Sequence, residues 1–160
     1  MNYEHLVQIN DPLNPLVATL TRADLWRGLV LRAEQPQIFV PGLDDCRITA
    51  RGPNSLEREL HYGQAIVKDR VIFTPEESVR YEIDPTSEYV GGHLTMTIET
   101  PDEIQLFVRF RYETTLVEGS GGEDEQTSEI VKSAYREADI DTITMIRQLI
   151  ESGRFERPLH

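Results

Sequence analysis

From Leu43 to Tyr112 apolar and polar residues alternate with a period of two through six consecutive segments, the pattern of strands with one face buried. Cys46, Ile48 and Ala50 alternate with Arg47, Thr49 and Arg51. After the Gly52-Pro53-Asn54 turn, Leu56, Leu60 and Tyr62 alternate with Ser55, Glu57, Glu59 and His61. Ala65 to Phe73 is apolar at its ends and interrupted by Lys68-Asp69-Arg70, where a bulge or bend is expected. Val79, Tyr81 and Ile83 alternate with Ser78, Arg80 and Glu82, and Leu94, Met96 and Ile98 with His93, Thr95, Thr97 and Glu99. In the sixth segment Leu106, Val108, Phe110 and Tyr112 alternate with Gln105, Arg109 and Arg111. Connectors such as Thr74-Pro75-Glu76-Glu77 and Thr100-Pro101-Asp102 suit hairpins rather than crossovers, so the segments predict an antiparallel meander. Tyr3 to Ile9 reads as a further strand ahead of them, stopped by Asp11-Pro12 and Asn14-Pro15.

Two stretches change the period. Thr21 and Asp24 frame a helix start, with Leu25, Leu29 and Ala33 on one stripe and Trp26 and Val30 beside it. Gln35-Pro36 ends that helix, because the residue before proline is pushed out of the α region. A shorter turn through Ile38 and Phe39 leads to the Pro41-Gly42 break. A second helix is expected from about Ser120 to Ser152. Ser120 and Glu123 have capping-box spacing, and Glu123, Asp124 and Glu125 place negative charge at the positive end of the dipole. Gly153 stands where a left-handed C-cap is wanted. Such a helix is roughly 45–50 Å long, enough to cross a small domain. Its apolar stripe is expected at Val131, Ala134, Ala138, Met145 and Leu149, widened by Tyr135, Ile143, Ile146 and Ile150. Ala134 and Ala138 would let it approach a sheet closely, or leave space. A strongly curved sheet closed by one long helix leaves a hollow between them.

Composition narrows the function classes. A chain of 160 residues suits one domain with a sizeable core. The net charge of -12 argues against nucleic-acid binding and against adhesion to anionic membranes. No apolar run reaches the ~20 residues that span a bilayer, and Met1 to His5 lacks the regions of a signal peptide. Cys46 is the one cysteine, so no internal disulfide can form, and a cytoplasmic location is expected.

Three stretches carry a resemblance: Tyr3-Glu4-His5-Leu6-Val7-Gln8-Ile9-Asn10-Asp11, the block TRADLWRGLVLRAEQP from Thr21 to Pro36, and Phe39-Val40-Pro41-Gly42-Leu43. With the element order they resemble the START-like, helix-grip superfamily (SRPBCC, the birch-pollen-allergen type), and within it the AtaL-like branch. The resemblance covers essentially the whole chain. It implies an α+β helix-grip fold: a seven-stranded antiparallel curved sheet wrapped around the long C-terminal helix, with one or two short helices after the first strand. It implies an apolar cavity between sheet and helix but names no substrate, since superfamily members bind lipids, sterols, polyketides and plant hormones, and some are cyclases or co-chaperones.

Among residues that could carry chemistry, Arg58 is the most informative. Alternation puts it on the buried face with Leu56, Leu60 and Tyr62, where a lone charge costs several kcal/mol. It either recognises a ligand oxygen or pairs with a helix carboxylate, Asp139 or Asp141, or reaches out of the cavity mouth. Tyr62, Tyr81, Tyr112 and Tyr135 fall on inward positions and either orient a ligand or serve as core residues with hydroxyls at the rim. Met96, Phe110 and Met145 join them as cavity candidates, and Trp26 and Phe39 lie near one end as packing or as a lid. His93 is in phase with Thr95 and Thr97 and is read as a surface residue. His5, His61 and His160 share no metal-ligand spacing with it; neither a metal nor a cofactor is expected. Ser120-Gly121-Gly122 lacks the ending of a phosphate loop and reads as a cap. The acidic run from Glu118 to Glu129 is a solvated helix start or a docking patch for a basic partner. The leading reading is a binder of a small apolar, aromatic, polyketide-like or lipid-like molecule. A cyclase, aromatase or dehydratase using the same cavity is the second reading. An acidic interaction module is the third, with a protein partner or a homo-oligomer left open.

Overall fold

The period-two segments pair into one antiparallel sheet in the computed structural model, which describes residues 2–87, 91–114 and 124–153 (124–127 by backbone alone). In chain order the elements are β1 (Asn2–Asn10), α1 (Arg22–Glu34), a 3-10 turn (Pro36–Ile38), β2 (Asp45–Gly52), β3 (Ser55–Tyr62), β4 (Ala65–Thr74), β5 (Ser78–Ile83), β6 (Gly92–Glu99), β7 (Leu106–Thr114) and α2 (Asp124–Glu151). The sheet order is β1-β7-β6-β5-β4-β3-β2, so the first strand closes the meander by pairing with the last. This is the expected α+β helix-grip fold, with a seven-stranded sheet, a long C-terminal helix and a short helix after the first strand.

Local chemistry sets the element ends. Thr21 is the N-cap of α1, its hydroxyl accepting the Asp24 N–H at 3.0 Å. Gly153 has φ 75°, the left-handed cap, and its N–H donates to the Ile150 carbonyl at 3.0 Å. The Ser120 capping box lies outside the described residues. Asn10 fastens the end of β1 to the approach to α1: its side-chain amide donates to the Leu20 carbonyl at 2.8 Å and accepts the Leu20 N–H at 2.9 Å.

Three expectations are corrected. No bulge interrupts β4 at Lys68-Asp69-Arg70, because its register with β3 runs unbroken through Arg58↔Asp69. The irregularities fall instead between Gln8 and Asn10 in β1 and between Ile48 and Ala50 in β2. The second of these takes Ala50 out of phase with Cys46 and Ile48, and Ala50 is exposed opposite Glu57. The stripe of α2 is also rotated from the expected one: Ala134 and Ala138 face solvent, and the buried positions are Asp139, Thr142, Ile143 and Ile146. A count of apolar residues alone misplaces this face because its centre is polar.

The close approach of helices comes from α1 rather than from the α2 alanines. A Cβ on Gly28 would stand 2.5 Å from Cγ2 of Ile146, so glycine is what lets α1 cross α2 at this distance. Leu25, Leu29 and Ala33 of α1 and Ile143 and Ile146 of α2 join Met96, Val108 and Phe110 in the main core. A smaller cluster, Leu43, Leu60 and Val67, fills the far end near Tyr62 and Cys46.

A candidate ligand site on the inner face of the sheet

Strand register lines up one transverse row of inward side chains: Tyr3, Tyr112, Leu94, Tyr81, Val71 and Leu56. Three of the six are tyrosines. Tyr81 and Tyr112 are buried. The ring of Tyr135, from α2, stacks on Tyr112 with centroids 4.0 Å apart, and the ring of Tyr3 stacks on Tyr112 at 6.2 Å. The next row holds His5, Phe110, Met96 and Val79, with His5 stacked on Phe110 at 5.5 Å.

Asp139 of α2 enters this aromatic group almost fully buried, at 1% exposure. It accepts the Tyr112 hydroxyl on Oδ1 at 2.6 Å and contacts His5 Nε2 through Oδ2 at 2.7 Å. An ionised Asp139 thus requires the His5 proton on Nε2, leaving Nδ1 as an acceptor. Burial pushes the Asp139 carboxyl above the ordinary carboxylate range, against the opposing pull of hydrogen bonds from Tyr112 and His5. Burial first and Asp139 second push the Tyr112 and Tyr135 hydroxyls upward as well. The hydroxyls of Tyr3 and Tyr81 are buried and have no hydrogen-bond partner among the described residues. Such groups cost about 1–3 kcal/mol each when left unmet.

Arg58 does face inward, at 4% exposure, and its partner is neither Asp139 nor Asp141. It is Asp69, directly opposite on β4: Nε donates to Oδ1 at 2.8 Å and Nη2 to Oδ2 at 2.5 Å. Nη1 donates to the Ala33 carbonyl at 2.8 Å, tying the end of α1 to the sheet. Burial alone would make this guanidinium less basic, but the hydrogen bond and charge of Asp69 outweigh it and raise its pKa. Each of the three guanidinium nitrogens donates within the chain.

The remaining sequence candidates separate. Met96 and Phe110 are fully buried in the main core, and Met145 packs partly buried against it. Tyr62 belongs to the far cluster, away from the tyrosine row. Trp26 meets Phe73 edge-on at 6.2 Å beside a surface cleft of about 250 Å³. A cleft of about 450 Å³, lined by Asn10, Thr21, Arg22, Ile104 and Leu106, opens at the other end of the β1–β7 pair from Tyr3. His93 lies on the outer face opposite Glu82, its Nδ1 2.8 Å from Arg80 Nη2. Among the described residues no group of three or more His, Cys, Asp or Glu side chains could hold a metal ion. No helix among them is long and apolar enough to cross a membrane.

Sequence reasoning missed His5, Asp69 and Arg32. Each is a polar residue standing in an apolar phase: His5 between Tyr3 and Val7, Asp69 between Val67 and Val71, Arg32 three residues after Leu29. Arg32 is half-buried, with Cζ 5.2 Å from the centre of the Tyr81 ring.

Residues 7–153 match the AtaL family, described as acetylaranotin biosynthesis cluster protein L. No curated protein matches the chain. Among solved structures it is similar to the Zhui aromatase/cyclase from Streptomyces sp. R1128, with 18% identity, TM-score 0.61, and 98% of this chain and 96% of that one covered. It is similar to the di-domain ARO/CYC StfQ from the steffimycin biosynthetic pathway at 11% identity and TM-score 0.71, covering 94% of this chain and 50% of that one. Ara h 8.0201 matches at 11% identity and TM-score 0.60 over 92% of this chain and 98% of that one. At these identities the likeness is one of fold.

Proposed function

The chain belongs to the AtaL family, and on that footing we propose that it binds a small aromatic or polyketide-like molecule between the sheet and α2. The observation that carries this reading is the pair of tyrosine hydroxyls, Tyr3 and Tyr81, buried in one row without partners among the described residues. A ligand edge bearing carbonyl or hydroxyl oxygens would satisfy them, while Leu94, Met96 and Phe110 supply the apolar floor that small-molecule sites favour. Similarity of fold to an aromatase/cyclase and to an ARO/CYC of a biosynthetic pathway supports the same class of occupant. Of the sequence candidates, Tyr81, Tyr112, Tyr135, Met96 and Phe110 remain in the proposal. Arg58 keeps α1 in place through Asp69 and Ala33. Native mass spectrometry of the protein purified from its own host tests the proposal. A retained small molecule is expected, and Tyr3→Phe with Tyr81→Phe should reduce its occupancy. Equal retention by wild type and the double variant would remove these hydroxyls from the site, and no captured molecule would count against binding altogether.

One observation favours chemistry as a second reading. His5, Asp139 and Tyr112 form a hydrogen-bonded array at the same end of the sheet. With Asp139 holding Nε2–H, His5 Nδ1 is a base that can take an acidic C–H proton from an enolisable dicarbonyl, the first step of a cyclase-type reaction. Deuterium exchange into a 1,3-diketone probe separates the readings. Catalysed exchange that Asp139→Asn slows points to an enzyme; exchange at the solvent rate points to a binder.

A further inference from the structure

We infer that Arg32 recognises a carboxylate on the aromatic ligand, an inference that rests on the binding reading above. Two guanidiniums reach the inner face, each with Cζ 5.2 Å from the centre of the Tyr81 ring. They differ in what the chain leaves them. Arg58 is neutralised by Asp69, and Nε, Nη1 and Nη2 are all engaged. Among the described residues Arg32 donates only through Nε, to Thr142 Oγ1 at 3.3 Å. Thr142 in turn donates its hydroxyl to the Ala138 carbonyl at 3.0 Å, so its lone pair is what Arg32 meets. Neither terminal nitrogen of Arg32 has a hydrogen bond or ion pair among the described residues. Asp139 is near enough to feel this charge, yet both its oxygens are committed to Tyr112 and His5.

The side chain is held where its free end is useful. Arg58 Nη1 bonds the carbonyl of Ala33, the next residue, and so fixes the last turn of α1 against the sheet. Thr142 holds Nε from α2, and the guanidinium carbon lies over the Tyr81 ring. What remains is a positioned edge with four N–H donors, the geometry that a carboxylate accepts in a bidentate pair. The chain as a whole opposes such a ligand, since its net charge is -12. A preference for an anion over its neutral twin therefore has to come from a local cation and cannot come from the overall field.

The test uses two probes of one shape, 2-naphthoate and the neutral 2-naphthamide, titrated calorimetrically against the wild-type chain, Arg32→Gln and Arg32→Lys. Folding of each variant is checked by circular dichroism. Wild type should bind naphthoate more tightly than naphthamide. Arg32→Gln should weaken naphthoate about ten- to a hundred-fold and leave naphthamide unchanged, the size of losing charge-assisted hydrogen bonds. Arg32→Lys, which keeps the charge and loses the fork, should fall between. If Arg32→Gln does not fold, the lysine variant decides alone, and an unchanged naphthoate-to-naphthamide ratio overturns the inference. Naphthamide binding as tightly as naphthoate in the wild type, or both probes losing equally in Arg32→Gln, overturns it too while leaving ligand binding intact. Failure of the wild type to bind either probe overturns both readings.

Discussion

Removing Asp69 should leave the Arg58 charge buried with the Ala33 carbonyl and the Tyr81 ring as its remaining partners among the described residues. Both side chains are nearly sealed from water, at 3% and 4% exposure, so solvent screening cannot soften the loss. Breaking a buried pair in this way costs about 3–5 kcal/mol. With a urea slope near 2 kcal/mol/M, a loss of about 4 kcal/mol lowers the unfolding midpoint by about 2 M. The same loss lowers Tm by about 10 °C for a chain of this size. Arg58→Met strands the carboxylate and should cost a similar amount. The double variant Arg58→Met/Asp69→Leu removes both charges along with their desolvation, and should return to within about 1 kcal/mol of wild type or exceed it. Urea melts of the four proteins give the coupling energy directly. Additive losses, with the double variant falling by the sum of the singles, would refute a coupled buried pair. So would a loss below about 1 kcal/mol for Asp69→Leu alone.

Gly28→Ala should destabilise by about 1–3 kcal/mol although alanine is the better helix former, because the new methyl meets three side-chain carbons of Ile146 at 2.5, 2.7 and 2.9 Å. Adding Ile146→Ala should relieve the clash, so that the double variant loses less than the two single losses summed; simple additivity would contradict a direct collision. Asp139 has a folded pKa above its ordinary 3.8, chiefly from burial, so the folded chain holds a proton there that the unfolded chain has released. Its contribution to stability is then greatest below that ordinary value and declines as pH rises through it toward the folded one. Urea midpoints across about pH 4 to 7 should show this decline in wild type and a flatter profile in Asp139→Asn; parallel profiles would argue against it. The Tyr112 hydroxyl is shifted upward by burial and by Asp139, so phenolate absorbance should show one fewer late-ionising tyrosine in Tyr112→Phe.

Much of this protein was legible in its chain because period-two alternation, turn residues and caps are local signals. They predicted the seven strands, the Thr21 and Gly153 helix caps, the inward turn of Arg58 and the outward turn of His93. Alternation also held the clue to Asp69. Val67 and Val71 flank it in phase, but a run of three charged residues reads as an interruption until β3 is laid beside it. What only the tertiary structure decided was pairing. Register set Asp69 against Arg58, the close crossing of α1 and α2 put Gly28 against Ile146, and the lie of α2 carried Asp139 to His5 and Tyr112. The physical reason is that a sequence states which face a residue prefers, through local backbone geometry and hydrophobicity. It does not state which other face arrives there. A buried polar group takes its meaning from that arrival: Arg58 meets a carboxylate and becomes structural, while Arg32, 5.2 Å from the same tyrosine ring, meets no carboxylate among the described residues.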